Sequence, residues 1–278
     1  MTRLFGVIGY PVSHSLSPVM HSAALRALRL DALYTSVEVP PRFLGPMLEA
    51  LILAGVEGLN VTVPLKEAVL PLLDRLDASA AAIGAVNTIV IRNRRTMGYN
   101  TDGAGFRLAL AELGWRARRP IRAVILGAGG TARAIAWELA QAAGSELTIA
   151  NRHLARAQRL ARWVSMACPR VRVRAVPLGE VAVEGAGLVV NATTVGMRAT
   201  DRPLIEPAAL RRTMLVYDVV YVRQTRLVRD ARRRGCVAAT GLSMLLYQGA
   251  ESLRLWLRRP PPIDAMRRAL VRAIARRA

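Results

Sequence analysis

The sequence predicts an α/β protein of two units. The first is an N-terminal, mostly parallel α/β unit and the second an open α/β sheet, with the terminal helices packing back on the first unit. Two observations lead there. Short apolar runs alternate with amphipathic stretches along the chain, the pattern of strand–helix–strand units. Near the middle, the turn Gly127-Ala128-Gly129-Gly130-Thr131-Ala132 follows one apolar run and opens a helical pattern. With 278 residues and 53% hydrophobic content, each unit has material for a buried core.

In the first unit the alternating segments are Leu4 to Ile8, Pro18 to Leu28, Leu33 to Val39, Phe43 to Leu53, Leu59 to Val63 and Thr88 to Ile91. The domain change falls near Asp102. A helical stretch, Gly103 to Leu113, then leads into Gly114 to Pro120, a basic segment bounded by Gly and Pro that reads as a surface connection. The second unit opens with the strand Ile121 to Leu126, the glycine turn and a helix through Leu139. Strands at Glu146 to Ala150, Val171 to Val176, Leu188 to Asn191 and Met214 to Val219 complete an open sheet of Rossmann type. Two final helices, Met244 to Leu257 and Ile263 to Ile274, flank three prolines and have no strand partner, so they return to the first unit.

Composition narrows the function. The first apolar run is too short for a signal peptide and runs into a Pro- and Ser-rich loop, which points to the cytoplasm. Runs such as Thr213 to Val222 fall short of the roughly 20 residues a membrane helix needs, so no membrane partner is expected. The two cysteines, Cys168 and Cys236, lack metal-ligand spacing, and neither a metal site nor a disulfide framework is expected. A net charge of +21 keeps a polyanion-binding protein open as the rival class. Against a nucleic-acid partner, the arginines are spread over the whole chain and only 5% of residues are aromatic. Of 40 basic residues, Lys66 is the only lysine. Arginine does not release its proton in a protein whereas lysine can, so proton transfer is a reason to keep an amine there.

The glycine turn carries the nucleotide reading. Gly127, Gly129 and Ala132 fit the G-x-G-x-x-G/A spacing, in which small residues let backbone amides at a helix start approach a pyrophosphate; Ala128, Gly130 and Thr131 complete the turn. Where NAD sites carry a carboxylate for the ribose 2′-hydroxyl, this chain has Asn151-Arg152. Arg152, with Arg156 one helical turn on, suits a 2′-phosphate, so NADP is preferred; His153 is a candidate neighbour of the adenine. In the N-terminal turn Ser13 to Pro18, hydroxyls and helix amides suit a carboxylate. Ser17 before Pro18 also reads as a helix N-cap.

The chain resembles the shikimate dehydrogenase family over nearly its whole length. The likeness rests on an ordered set: Ser13-His14-Ser15-Leu16-Ser17-Pro18, Gly58 to Lys66, Gly84-Ala85-Val86-Asn87-Thr88, Asn100-Thr101-Asp102-Gly103, the glycine turn, Asn191 to Met197, and Gly241 to Leu245 with Gln248. It implies a substrate domain of residues 1–102 and 243–278, a Rossmann NADP-binding domain of residues 103–242, and NADPH-dependent reversible reduction of 3-dehydroshikimate to shikimate, in aromatic amino acid biosynthesis. It also implies Lys66 and Asp102 as the catalytic pair. Ser15 and Ser17 would hold the substrate carboxylate with Tyr221, while Thr62, Asn87, Asp102 and Gln248 would bind ring hydroxyls, and Val219 and Gly241 would lie against the nicotinamide. Two departures stand out, His153 where threonine commonly follows Asn-Arg, and Arg223 where proline is common. Asn60 and Asn87 could instead cap turns, and Asp102 could cap the helix after it. Sister enzymes acting on quinate or an amino-shikimate stay open. A homodimer is compatible with the sequence, which does not fix the oligomeric state.

Overall fold

The computed structural model describes residues 2–115 and 119–276. The chain divides into two compact units, Met1–Gly105 with Leu245–Ala278, and Phe106–Met244.

The first unit opens with β1 (Arg3–Gly9), whose five C-terminal residues are all buried. Its apolar run is continuous because it lies inside the sheet, between β2 (Ala32–Glu38) and β3 (Val56–Val61), both parallel to it. Helices α1 (Ser17–Ala27) and α2 (Leu44–Leu53) make the crossovers. Beyond β3 come a two-residue strand β4 (Arg75–Leu76), the short helix α3 (Ala78–Ile83), and a hairpin of β5 (Thr88–Arg92) and β6 (Arg95–Tyr99) leading to α4 (Asp102–Glu112). The sheet order is β2-β1-β3-β5-β6-β4, with β5 antiparallel to both β3 and β6. That hairpin is absent from the sequence reading, which ended its strands at Thr88 to Ile91. Its turn places Asn93 and Arg94 at φ 51° and 60°, the two left-handed central residues that match strand twist in a two-residue hairpin. In Arg92-Asn93-Arg94-Arg95 the charge run hides that signal.

The second unit holds β7 (Arg122–Leu126), α5 (Gly130–Ala140), β8 (Glu146–Asn151), α6 (Leu154–Ala167), β9 (Arg172–Pro177), β10 (Leu188–Asn191), β11 (Leu215–Asp218), α7 (Arg226–Arg233) and β12 (Val237–Thr240). All neighbours are parallel and the order is β12-β11-β10-β7-β8-β9, so by appearance the strands stand 3-2-1-4-5-6 read from β9. The direction of winding reverses between β7 and β10, and the carboxyl ends of those strands flank the ligand crevice of such sheets. The segment read as a surface connection includes residues 116–118, which lie outside the described residues.

The chain then returns to the first unit through α8 (Leu242–Leu257) and α9 (Ile263–Ala275). Helix α9 packs on α1, and Trp256 of α8 lies over Gly58 and donates its indole N–H to the Ile89 carbonyl at 2.9 Å. Each unit has its own apolar core, around Ile8, Leu59, Leu65 and Ile89 in the first and around Leu126, Val189, Val216 and Val228 in the second. Each such side chain contributes about 2 kcal/mol on burial.

Candidate active site

The segment after β3 is pinned by Leu65 and Val69, both fully buried, and this holds Lys66 between them. The Lys66 ammonium pairs with the Asp102 carboxylate through Oδ2, the two side chains being only 11% and 5% exposed. Asp102 begins α4, but its carboxylate does not cap that helix. Oδ1 instead accepts from Asn87 Nδ2 at 2.7 Å, while Asn100 Oδ1 takes the Asp102 backbone N–H.

Asn87 is fixed from every side. Its Oδ1 accepts from the Thr101 backbone N–H at 2.8 Å and the Thr88 hydroxyl at 3.0 Å, which turns Nδ2 towards Asp102. Its second amide hydrogen is shared between Thr101 Oγ1 at 2.9 Å and Gln248 Oε1 at 3.2 Å. Beneath it lies a layer that the sequence reading did not assign. Asn60 Nδ2 donates to Ser252 Oγ and is in reach of Thr88 Oγ1, and Tyr34 donates to Asn60 Oδ1 at 2.7 Å. The signal was available, since an asparagine inside the apolar strand Leu59-Asn60-Val61 must find buried partners. Neither Asn60 nor Asn87 serves as a simple turn cap.

His21 stacks on Tyr34, ring centres 4.4 Å apart, and is fully buried with neither ring nitrogen in hydrogen-bond geometry. Burial holds its pKa down to about 3, outweighing a weak opposing influence of the Asn60 side chain.

Of the other candidates in this unit, Ser15 lies in the turn after β1, Ser17 opens α1 directly after that turn, and Thr62 follows β3, its N–H donating to the Ile8 carbonyl. All three therefore sit at the carboxyl ends of adjacent strands. The N-cap assigned to Ser17 is corrected: the cap position is Leu16, Ser17 is already helical, and Ser15 Oγ accepts the Ser17 N–H at 3.2 Å. With no capping task, the Ser17 hydroxyl is free of that local bond.

In the second unit, Gly127 has φ +113°, and a side chain there would meet the Ala192 carbonyl at 2.8 Å. Around Gly129, which precedes α5, a Cβ would meet nothing within 4 Å, so the turn leaves room at the start of that helix, where backbone amides can receive a phosphate. Strand β8 ends at Asn151, whose Nδ2 ties to the His153 carbonyl at 2.9 Å, and Arg152, His153 and Arg156 are exposed beyond it. No carboxylate among the described residues pairs with Arg152 or Arg156. Gly241 lies against the Val219 backbone so closely that a Cβ would fall 2.1 Å from the Val219 carbonyl oxygen, and its N–H donates to the Val220 carbonyl. Tyr221 follows in the same loop, half-buried. These residues fit NADP: an open glycine turn for the pyrophosphate, unpaired guanidinium groups for a 2′-phosphate, and no acid at the end of β8. Among the described residues no group of three or more His, Cys, Asp or Glu side chains could hold a metal, and no helix is long and apolar enough to cross a membrane.

A dinucleotide-binding sheet together with a buried lysine–aspartate pair defines a nicotinamide-dependent oxidoreductase. Three family models match in order: the shikimate dehydrogenase substrate binding domain at residues 7–89, shikimate/quinate 5-dehydrogenase at 109–222, and the shikimate 5′-dehydrogenase C-terminal domain at 241–271. The chain belongs to the shikimate dehydrogenase family. It is 46% identical over 280 residues to shikimate dehydrogenase (NADP(+)) of Moorella thermoacetica, covering 98% of this chain and 94% of that one. A solved Thermus thermophilus shikimate 5-dehydrogenase in complex with NADP(H) and shikimate is 39% identical with a TM-score of 0.86, over 98% of this chain and 100% of that one. Quinate dehydrogenase from Corynebacterium glutamicum in complex with NAD is also similar, 33% identical with a TM-score of 0.88, over 98% and 99%.

Proposed function

We propose that this chain catalyses the NADPH-dependent, reversible reduction of 3-dehydroshikimate to shikimate. The observation that carries the mechanism is the Lys66–Asp102 pair, held by Asn87 in a buried network. Hydride transfer is the chemistry that bound nicotinamide supplies. As a ring carbonyl is reduced, negative charge grows on its oxygen. Lys66, ammonium in the pair, stabilises that oxygen and gives it a proton; in the oxidative direction the amine takes the proton back. Asp102 holds the ammonium in place and accepts from a neighbouring ring hydroxyl. Asn87, Gln248 and Thr62 bind the remaining hydroxyls, and Ser15, Ser17 and Tyr221 take the carboxylate.

Residues 127–132 cradle the pyrophosphate, Arg152 and Arg156 take the 2′-phosphate with His153 near the adenine, and Asn151 shapes that turn. Val219 and Gly241 border the nicotinamide. The first unit is thus the substrate domain and the second the NADP domain. A cytoplasmic setting suits the two free cysteines, Cys168 and Cys236, because thiols stay reduced there. The reading uses one chain's residues and is compatible with a homodimer.

Initial rates of NADP+ reduction with shikimate, quinate and an amino-shikimate, each repeated with NAD+, test this. The highest kcat/KM is expected for shikimate with NADP+. A preference for quinate moves the chain to the sister activity. Absence of turnover together with steeply salt-sensitive RNA binding replaces the enzyme reading altogether.

A further inference from the structure

Asp218, the last residue of β11, is fully buried and is left without a task by the mechanism above. Three donors converge on its carboxylate. Oδ1 accepts from Asn191 Nδ2 at 2.8 Å and from the Val220 N–H at 3.0 Å, and Oδ2 accepts from the Thr225 hydroxyl at 2.6 Å. The donors come from two connections, Asn191 from the one after β10 and Val220 and Thr225 from the two ends of the one between β11 and α7. Asn191 ends β10 and braces the loop after it, its Nδ2 also reaching the Val195 carbonyl and its Oδ1 accepting from Thr193. Val220 lies in the loop after β11, whose backbone also receives Gly241 from the end of β12. Thr225 caps α7, accepting from the Val228 N–H at 3.3 Å.

We infer that Asp218 is a positioning residue, whose carboxylate clamps the loop Val219–Thr225 and so sets where Val219 and Tyr221 stand for the reaction. This rests on the reading above, which gives Val219 to the nicotinamide and Tyr221 to the substrate carboxylate. Between β11 and α7 the loop Val219–Thr225 has no proline to fix its φ angles, so its shape depends on such bonds. A carboxylate is the group that fits. Its two oxygens accept on both sides, whereas an amide must turn its NH2 towards either Thr225 or the Asn191–Val220 pair. Burial raises the Asp218 pKa to about 6 and the three donors oppose that rise.

The test compares Asp218→Asn, Thr225→Val and Thr225→Ser with the parent enzyme, reading kcat and KM for shikimate beside the affinity for 2′,5′-ADP, which on the reading above uses the glycine turn and the segment Asn151–Arg156 and not the loop Val219–Thr225. Asp218→Asn should lose about tenfold or more in kcat/KM, as misplacement of reacting groups does, with 2′,5′-ADP affinity within about twofold of parent. Thr225→Val should shift in the same direction and Thr225→Ser, which restores the hydroxyl, should recover; this pair carries the test if Asp218→Asn does not fold. Near-parental kcat/KM in Asp218→Asn and Thr225→Val overturns the inference, and so does a matching loss of 2′,5′-ADP affinity, which marks general damage. Tyr221→Phe in the same assay separates the two levels. If it is impaired while Asp218→Asn is normal, the clamp is wrong; if it is normal, the assignment of Tyr221 is wrong.

Discussion

The two units prepare for their ligands in opposite ways. In the first, the polar groups of the site are buried and already bonded to one another: Asn60, Asn87 and Asp102 are 5%, 2% and 4% exposed, and each has protein partners. In the second, the groups expected to meet the cofactor are more accessible, as exposed arginines and a glycine turn with room beside Gly129. A buried, satisfied network fixes atoms to fractions of an ångström, which proton transfer demands. An open anion site is soft and works through charge and backbone donors. Changes in the buried network of the first unit should therefore strike turnover, and changes in the open anion site of the second should strike cofactor affinity.

The sharpest way to break this contrast is Lys66→Arg. Arginine keeps the charge and an ion pair with Asp102 but does not give up a proton. Turnover should fall by about 10² to 10⁴, the usual worth of general acid–base catalysis, while shikimate affinity changes far less. Near-normal kcat in single-turnover experiments would remove Lys66 from proton transfer. A smaller effect of the opposite kind is expected for Arg152→Ala. Losing a charged hydrogen bond of about 1.5 to 3 kcal/mol should weaken NADPH roughly 10- to 100-fold. NADH, with no 2′-phosphate, should be little altered, and kcat with saturating NADPH should hold. Equal losses for both cofactors would mean that the guanidinium does not read the phosphate.

The same contrast explains what was legible in the sequence. The glycine turn, Arg152 and the end of β8 could be read because an open anion site is built locally, from residues a few positions apart. Lys66 was conspicuous as the one amine among arginines. The layer under Asn87 was not legible: Tyr34, Asn60, Thr88 and Ser252 span more than two hundred residues of sequence, and only the packing of α8 on the sheet joins them. Asp218 and Thr225 were passed over for a related reason. In Tyr217-Asp218-Val219 the aspartate resembles a strand-ending turn residue, and nothing nearby announces the Asn191 side chain that meets it. The β5–β6 hairpin was lost in a run of arginines.

Buried titratable groups also set the two units apart, and acid titration of stability can expose it. His21 is held neutral, with a pKa lowered from 6.5 to about 3 by burial. Between those values the unfolded chain takes up a proton that the folded chain refuses, so stability falls as the pH drops below 6.5. At pH 5 the loss amounts to about 2 kcal/mol. His21→Phe, which keeps an aromatic ring against Tyr34, should unfold in urea with a midpoint that no longer declines over this range. If parent and variant decline alike, His21 is not the group responsible.

Asp218 should act with the reverse sign. Its pKa rises from 3.8 to about 6 on folding, so between these values the folded chain holds a proton that the unfolded chain has released. Its contribution to stability is full below 3.8 and is lost as the pH rises through about 6, which means that the working enzyme carries an ionised carboxylate at a cost in stability. On acidification from pH 7 to pH 5 the protein regains about 1 kcal/mol from this group, partly offsetting His21. Asp218→Asn cannot titrate and should lack that gain, so its stability should fall more steeply than the parent's over the same interval, while kcat/KM is already low at pH 7. Parallel stability profiles would show that Asp218 does not titrate in this range. A destabilising charge that turnover needs is what a positioning carboxylate should look like, because a residue kept for stability alone would have been better neutral.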